Sequence, residues 1–317
     1  MTLVFMFPGQ SSRYPAMLER LIELSPEVSG PLVDEAAETL GRDLRRQYRA
    51  DNPDIFATNL DVQVGVFLAS HLFMRCVEAA GIAADLSLGL SLGEYNHLVH
   101  IGALDFADAA RLVDARGHAY DAGPDGAMAS VFPIGLDDLQ GVVARAAARG
   151  TLEIANLNSP AQHVISGDRA AVDAALEILE EEYFVQGVVI EPHIPMHSSR
   201  FAPVAAAFRP ALERAPWQTP RRPYIPNVYG RPIETPTAAD LVDTLSLHVH
   251  SPVRWRDSLD FLAERHPDAV FLEVGPRAVL YNLLDRKWLP NRKRKTDSSG
   301  DLCTDFAALV EELAHGS

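Results

Sequence analysis

Asp85-Leu86-Ser87-Leu88-Gly89-Leu90-Ser91-Leu92-Gly93-Glu94-Tyr95 is the stretch on which the fold turns. Asp85 to Leu88 reads as a short strand and the chain from Gly93 onward as a helix, so a strand passes through a tight turn into a helix. Within the turn, Gly89-Leu90-Ser91-Leu92-Gly93 is the only G-x-S-x-G in the chain. A serine on so sharp a turn must adopt strained backbone angles. Small flanking residues let a neighbouring chain approach, and the hydroxyl then projects into a cleft. The helix that follows points its free N–H groups at the same spot, where the Leu92 N–H can stabilise an oxyanion. The bland alternative is a glycine-rich turn that only joins a strand to a helix.

Working outward, Thr2 to Phe7 is a short apolar run ended by Pro8-Gly9, which reads as a buried strand entering a loop. Asp61 to Ala80 carries Val62, Val66, Ala69, Phe73 and Val77 at helical spacing and reads as a core helix. Residues 127–192 follow another pattern. Met128 to Ile134 reads as a strand and Leu136 to Ala148 as a helix. Leu152 to Ala155 and His163 to Ser166 are two further strands, Asp168 is a plausible N-cap for a helix through Leu179, and Phe184 to Ile190 is a last strand. The order β-α-β-β-α-β is ferredoxin-like and predicts a small domain, 127–192, inserted into a larger one formed by 1–126 and 193–317. A helix near Phe201 to Arg214, a proline-rich crossing from Pro216 to Pro226 and a strand from Val270 to Val274, ended by Gly275-Pro276, complete the larger part.

Composition narrows the function classes. The chain has 317 residues, 47% of them hydrophobic, with 28 basic against 43 acidic side chains and a net charge of −15. That apolar content, with only 20 Gly and 22 Pro, excludes a disordered or fibrous chain. Cys76 and Cys303 are too few for a disulfide framework, suggest a reducing compartment, and cannot by themselves build a metal site. The apolar runs fall short of the roughly 20 residues that span a bilayer, and the N-terminus lacks the features of a signal peptide, so a cytoplasmic protein is expected. The negative charge argues against nucleic acid, whose binding needs a positive field.

A serine at its ordinary pKa needs a base, normally histidine, and eleven histidines are present. His197, in Pro195-Met196-His197-Ser198, follows the last strand of the inserted domain in a loop returning to the main one. His97 and His100 lie on the helix just after Ser91, too close in sequence to fold back easily. His248 and His250 alternate as in an extended segment that could line a cleft. The residues alone leave the choice open.

At this point the motifs match a known family. Phe7-Pro8-Gly9-Gln10, Gly89 to Tyr95, Arg116-Gly117, Asn156 to Pro160, Met196-His197-Ser198, Pro252 to Trp255 and Glu273 to Pro276 run in order along nearly the whole chain. Together they resemble the malonyl-CoA:acyl carrier protein transacylases and the related acyltransferases of polyketide synthases, in free-standing form. The resemblance implies an α/β fold, a hydrolase-like large domain with a parallel sheet carrying the inserted ferredoxin-like domain. It implies a Ser91–His197 dyad with no acidic third member, the imidazole being oriented by a backbone carbonyl, with His248 at the supporting position. It implies oxyanion-hole donors at Gln10 and Leu92 and a carboxylate clamp at Arg116, whose planar guanidinium suits two parallel hydrogen bonds. Acyl-CoA and a phosphopantetheinylated acyl carrier protein are the implied partners, with the CoA thioester as substrate, no bound cofactor and no metal.

Three stretches depart from the family pattern. Leu90 stands where histidine is usual, Ser11-Ser12-Arg13 where Gly-Ser-Gln is common, and Pro195-Met196 where many malonyl-selective modules have Ala-Phe. Leu90 and Met196 are expected to touch the acyl group and to make its pocket more apolar, which opens two alternatives: transfer of a larger acyl group between carrier proteins, or editing hydrolysis of carrier-bound chains. A non-catalytic carrier-docking module is a third reading, opposed by the presence of Ser91, His197 and Gln10 together. Arg286-Lys287 and Arg292 to Lys295 form the one dense basic cluster, expected to be a solvated tail or else a contact for an acidic carrier or CoA phosphates.

Overall fold

In the computed structural model, which describes residues 2–298 and 300–315, the strands in chain order are β1 (Leu3–Phe7), β2 (Leu86–Gly89), β3 (Ala127–Val131), β4 (Leu152–Leu157), β5 (His163–Gly167), β6 (Gly187–Glu191), β7 (Val270–Glu273) and β8 (Arg292–Lys295). β1 is buried along its whole length. Its alternation places Leu3, Phe5 and Phe7 in one apolar cluster and Val4 and Met6 in another. A strand covered on both faces belongs inside a parallel sheet, and β1 pairs in parallel with β2 on one side and β7 on the other. With β8 parallel to β7, the sheet order is β2-β1-β7-β8.

The helix expected over Asp61–Ala80 runs from Asn59 to Ala79, two residues earlier because the Thr58 side chain caps it by accepting from the Asp61 N–H at 3.1 Å. By length and composition this helix could cross a membrane, yet most of it is buried inside the protein, packed against the Gly93–His100, Phe106–Asp121 and Pro26–Leu40 helices.

The basic run is corrected most. Arg292–Lys295 is not a tail but the outer strand β8. Lys293 Nζ donates to the carbonyls of Tyr281 and Leu284 at 2.8 and 2.6 Å, and Arg294 is paired with Glu312. At a sheet edge only part of each side chain is covered, so aliphatic stems line the sheet while the charged ends reach partners at its rim.

The second sheet is antiparallel, in the order β4-β5-β3-β6. With the Leu136–Ala146 and Arg169–Tyr183 helices on one face, this is the ferredoxin-like arrangement. Strand alternation divides its labour. Ala127, Ala129 and Val131 join the helices in a core of their own, while Met128 and Ser130 face the other way, toward the end of the parallel sheet. Three local readings shift. β3 ends at Val131 rather than Ile134, before the Phe132-Pro133 turn. β6 begins at Gly187 because Phe184 takes a left-handed backbone, φ 57°, to end the preceding helix. Asp168 does precede that helix, but its carboxylate accepts from the Thr151 N–H at 2.8 Å and makes no bond to its own helix.

Candidate active site

The elbow is built by steric necessity. Ser91 sits at φ 51°, in the left-handed region that costs a side-chain-bearing residue about 1 kcal/mol or more. A methyl group at Gly93 would lie 2.1 Å from the Phe7 carbonyl oxygen, and one at Gly89 would lie 2.0 Å from that of Gly93. Only glycine lets strand, turn and helix approach this closely. The turn is tied by Leu90 N–H to Phe7 O and Gly93 N–H to Leu90 O, both 2.9 Å.

Ser91 Oγ lies 2.8 Å from His197 Nε2 although 106 residues separate them. His197, itself at φ 58°, has Nδ1 2.9 Å from the His248 carbonyl oxygen. A carbonyl can only accept, so Nδ1 carries the hydrogen and Nε2 presents its lone pair to the serine hydroxyl. Burial, joined by the field of Arg116 and opposed by the carbonyls of His248 and Ser251, pushes His197 down to about 4. The ring is therefore neutral across the physiological range, the state a proton acceptor needs.

His97 and His100 do not compete for the role, because their Nδ1 atoms share the Ser87 hydroxyl at 2.7 and 2.8 Å on the far side of the elbow. His248, expected among the substrate contacts, is placed otherwise. Its ring is buried and stacks on His197 with centroids 4.9 Å apart, and it is not among the cavity walls; its carbonyl is what orients the neighbouring imidazole.

A cavity of about 260 Å³ opens over the pair. Gln10, Leu90 and Met196 form its wall near the serine turn, and Met128, Ser130 and Asn156 face them from the second sheet. Gln10 begins a short turn beside Ser91. Its side-chain Nε2 donates to Glu191 Oε1 at 2.7 Å, an oxygen that Arg13 Nη1 also reaches at 3.3 Å, so one carboxylate ties the two sheets together at the cavity edge. Leu92, fully buried, stands at the cap position of the Gly93–His100 helix.

Arg116 lies behind the dyad rather than on the cavity wall. It is 1% exposed, donates through Nη1 to Gln63 Oε1 at 2.5 Å and lies 4.1 Å from the Tyr120 ring centroid. Nε and Nη2 have no hydrogen-bond partner among the described residues. A buried guanidinium with open donors is costly unless an anion completes it.

Two residues escaped the sequence reading. Asn227 accepts from the Ser91 N–H at 2.8 Å and donates to the Gly89 carbonyl at 2.6 Å, clamping the elbow from 136 residues away. Glu94, beside the serine motif, is fully buried, and burial raises it to about 8. Asn227 carries no local signal. Glu94 does carry one, a carboxylate in an otherwise apolar turn.

The Acyl transferase domain family matches residues 4–296. The malonyl CoA-acyl carrier protein transacylase of Bacillus subtilis (strain 168) is 32% identical over 304 residues, covering 94% of this chain and 93% of its own. FabD from Acinetobacter baumannii superposes with a TM-score of 0.90 at 29% identity, covering 100% of this chain and 99% of its own. A malonyl-transacylase solved in complex with its type II PKS acyl-carrier protein superposes at 0.88 with 26% identity over 100% of both chains. Matched along nearly its whole length, and with the family's serine turn and histidine loop brought into contact by the fold, the chain belongs to the acyl transferase domain family.

Proposed function

We propose that the protein transfers a malonyl group from CoA to the phosphopantetheine thiol of an acyl carrier protein through an acyl-Ser91 intermediate, in fatty acid or polyketide synthesis. The observation that carries this reading is the 2.8 Å contact of Ser91 Oγ with a His197 whose other nitrogen is pinned to a carbonyl. His197 Nε2 takes the hydroxyl proton as Oγ attacks the thioester carbon, and the oxyanion rests on the Gln10 and Leu92 N–H groups. The C–S bond then breaks and His197 returns the proton to the departing CoA thiolate. In the second half-reaction His197 takes the carrier thiol's proton, the sulfur attacks the acyl-serine, and Ser91 leaves with that proton. Arg116, with two open donors, meets the free carboxylate of malonyl. The chain's own groups supply each step, with the CoA thioester as substrate.

The pantetheine arm reaches Ser91 along the seam between the sheets. There a second cavity of about 820 Å³, walled by Phe132, Lys287 and Trp288, shares Gln162 and Leu283 with the first. In this reading residues 127–192 are a separate subdomain whose apposition to 1–126 and 193–317 forms the seam, and the enzyme works in the cytoplasm with CoA and carrier protein. Leu90 and Met196 on the cavity wall favour a second reading, transfer of a larger, more apolar acyl group between carriers.

The test offers malonyl-CoA, acetyl-CoA and larger acyl donors to the enzyme with a holo carrier, and follows carrier mass. Ser91→Ala should form no acyl-enzyme, and Arg116→Ala should lose malonyl transfer about tenfold more than acetyl transfer. Equal losses would remove malonyl as the substrate. Acyl loss from a preloaded carrier without an acceptor thiol would replace transfer by hydrolysis.

A further inference from the structure

Glu94 takes no part in either half-reaction, yet it is the best-connected buried carboxylate near the dyad. Its backbone N–H donates to the Ser91 carbonyl at 3.0 Å, so it stands in the same turn as the nucleophile. Its side chain reaches two other segments. Oε1 accepts from the Tyr224 hydroxyl, and Oε2 accepts from the Asn227 N–H at 3.4 Å and lies 3.1 Å from His248 Nδ1. Two of the three contacts, those with Asn227 and His248, lead directly to a reacting residue. Asn227 accepts from the Ser91 N–H, while the His248 carbonyl accepts from His197 Nδ1 and its ring stacks on the His197 ring.

We propose that Glu94 is a positioning residue for the Ser91–His197 pair, touching neither substrate nor reacting atoms but locking the 224–227 loop and the His248 segment against the serine turn. The proposal rests on Ser91 and His197 being the reacting pair. A carboxyl group suits the task because its two oxygens can serve three partners from three segments at once. A buried group of this kind is high-stakes: fully partnered it stiffens the site, and with a partner removed it strains it. Asparagine or aspartate would be a methylene short of the loop, and an apolar side chain would orphan the Asn227 N–H and the Tyr224 hydroxyl together. Tyr95, Tyr120, Tyr224, His248 and Arg116 are the other ionisable groups that act on this carboxyl or are acted on by it.

A fluorophosphonate, which needs an activated serine but neither malonyl nor a carrier, labels Ser91 and separates this proposal from the substrate assignment. The full chain is compared with Glu94→Ala, Glu94→Gln and Tyr224→Phe for maximal labelling rate, half-saturating reagent concentration, CoA affinity and melting temperature. Glu94→Ala should label about tenfold or more slowly, because sub-ångström misplacement of reacting groups costs rates of this order, with half-saturation and CoA affinity within about twofold. Glu94→Gln keeps an acceptor for Tyr224 and a donor for His248 and loses only the acceptor of the long 3.4 Å bond from the Asn227 N–H, so it should recover to within about threefold of the parent. A folded Glu94→Ala chain that labels at the parent rate overturns the proposal. If Glu94→Ala does not fold, Tyr224→Phe decides, with labelling slowed about threefold in support and parent-rate labelling against. Labelling that survives Ser91→Ala sinks the dyad beneath the proposal, whereas a parent chain that labels but moves no malonyl sinks only the substrate reading.

Discussion

His197 is made a base by where it sits. Its Nδ1 hydrogen is committed to the His248 carbonyl, and burial beside Arg116 holds the ring down to about 4. A base must be neutral to act, so lowering its pKa extends activity toward acid: the rate falls only as pH falls through the folded value. The acid limb of Ser91 acylation should therefore lie near pH 4, and a limb near the ordinary histidine value of 6.5 would contradict this placement. At this scale the sequence was partly legible. Ser91 announces itself through the glycines its turn requires, and the motifs around His197 single it out by resemblance. Asn227 and the partnership of Glu94 with His248 were not legible, because a hydrogen bond between residues 136 or 154 apart leaves no local pattern.

Among elements, the close passage of β1, the serine turn and the Gly93–His100 helix is the feature most dependent on residue size. Gly93→Ala would place a methyl 2.1 Å from the Phe7 carbonyl oxygen, backbone that cannot move without displacing an inner strand of the sheet. The substitution should cost about 3 kcal/mol or more, read as a lowered denaturation midpoint, and should slow Ser91 labelling in whatever folds. A midpoint within error of the parent would mean the turn has room that its geometry denies. The strands, too, were legible where alternation or continuous apolar runs marked them, as in β1 and β3. β8 was not, because Arg-Lys-Arg-Lys has the composition of a solvated tail, and only pairing with β7, with Glu312 and two carbonyls as partners, makes it a strand.

The molecule as a whole carries buried ionisable groups of both kinds, and their balance predicts its pH response. His71, His97, His100, His163, His197 and His248 are all held by burial below the ordinary 6.5, so the unfolded chain binds their protons first as pH falls. Stability from these groups is lost downward from about 6.5. Glu94 and Glu273 are raised by burial to about 8 from 4.5, so the folded state holds their protons and this contribution is lost as pH rises toward 8. Between 4.5 and 6.5 the six histidines outweigh the two glutamates, and above 6.5 only the glutamates act. The denaturation midpoint should peak near pH 6.5, and one still climbing at pH 8 would show the two carboxyls to be ionised in the fold. The net charge of −15 sets the overall field against anionic partners such as CoA, so their recognition has to rest on local cations.

The sequence by itself determined the serine turn, the inserted β-α-β-β-α-β unit and the family, because glycine spacing, strand alternation and short motifs are local and survive being read one segment at a time. The resemblance already named His197 and a supporting His248; that the His248 carbonyl is the atom that orients the ring, where Arg116 lies relative to the cavity and what Glu94 holds were decided only by tertiary structure. Those relations join residues tens to more than a hundred positions apart, and they exist only once burial has removed water and left the buried polar groups to find partners among one another.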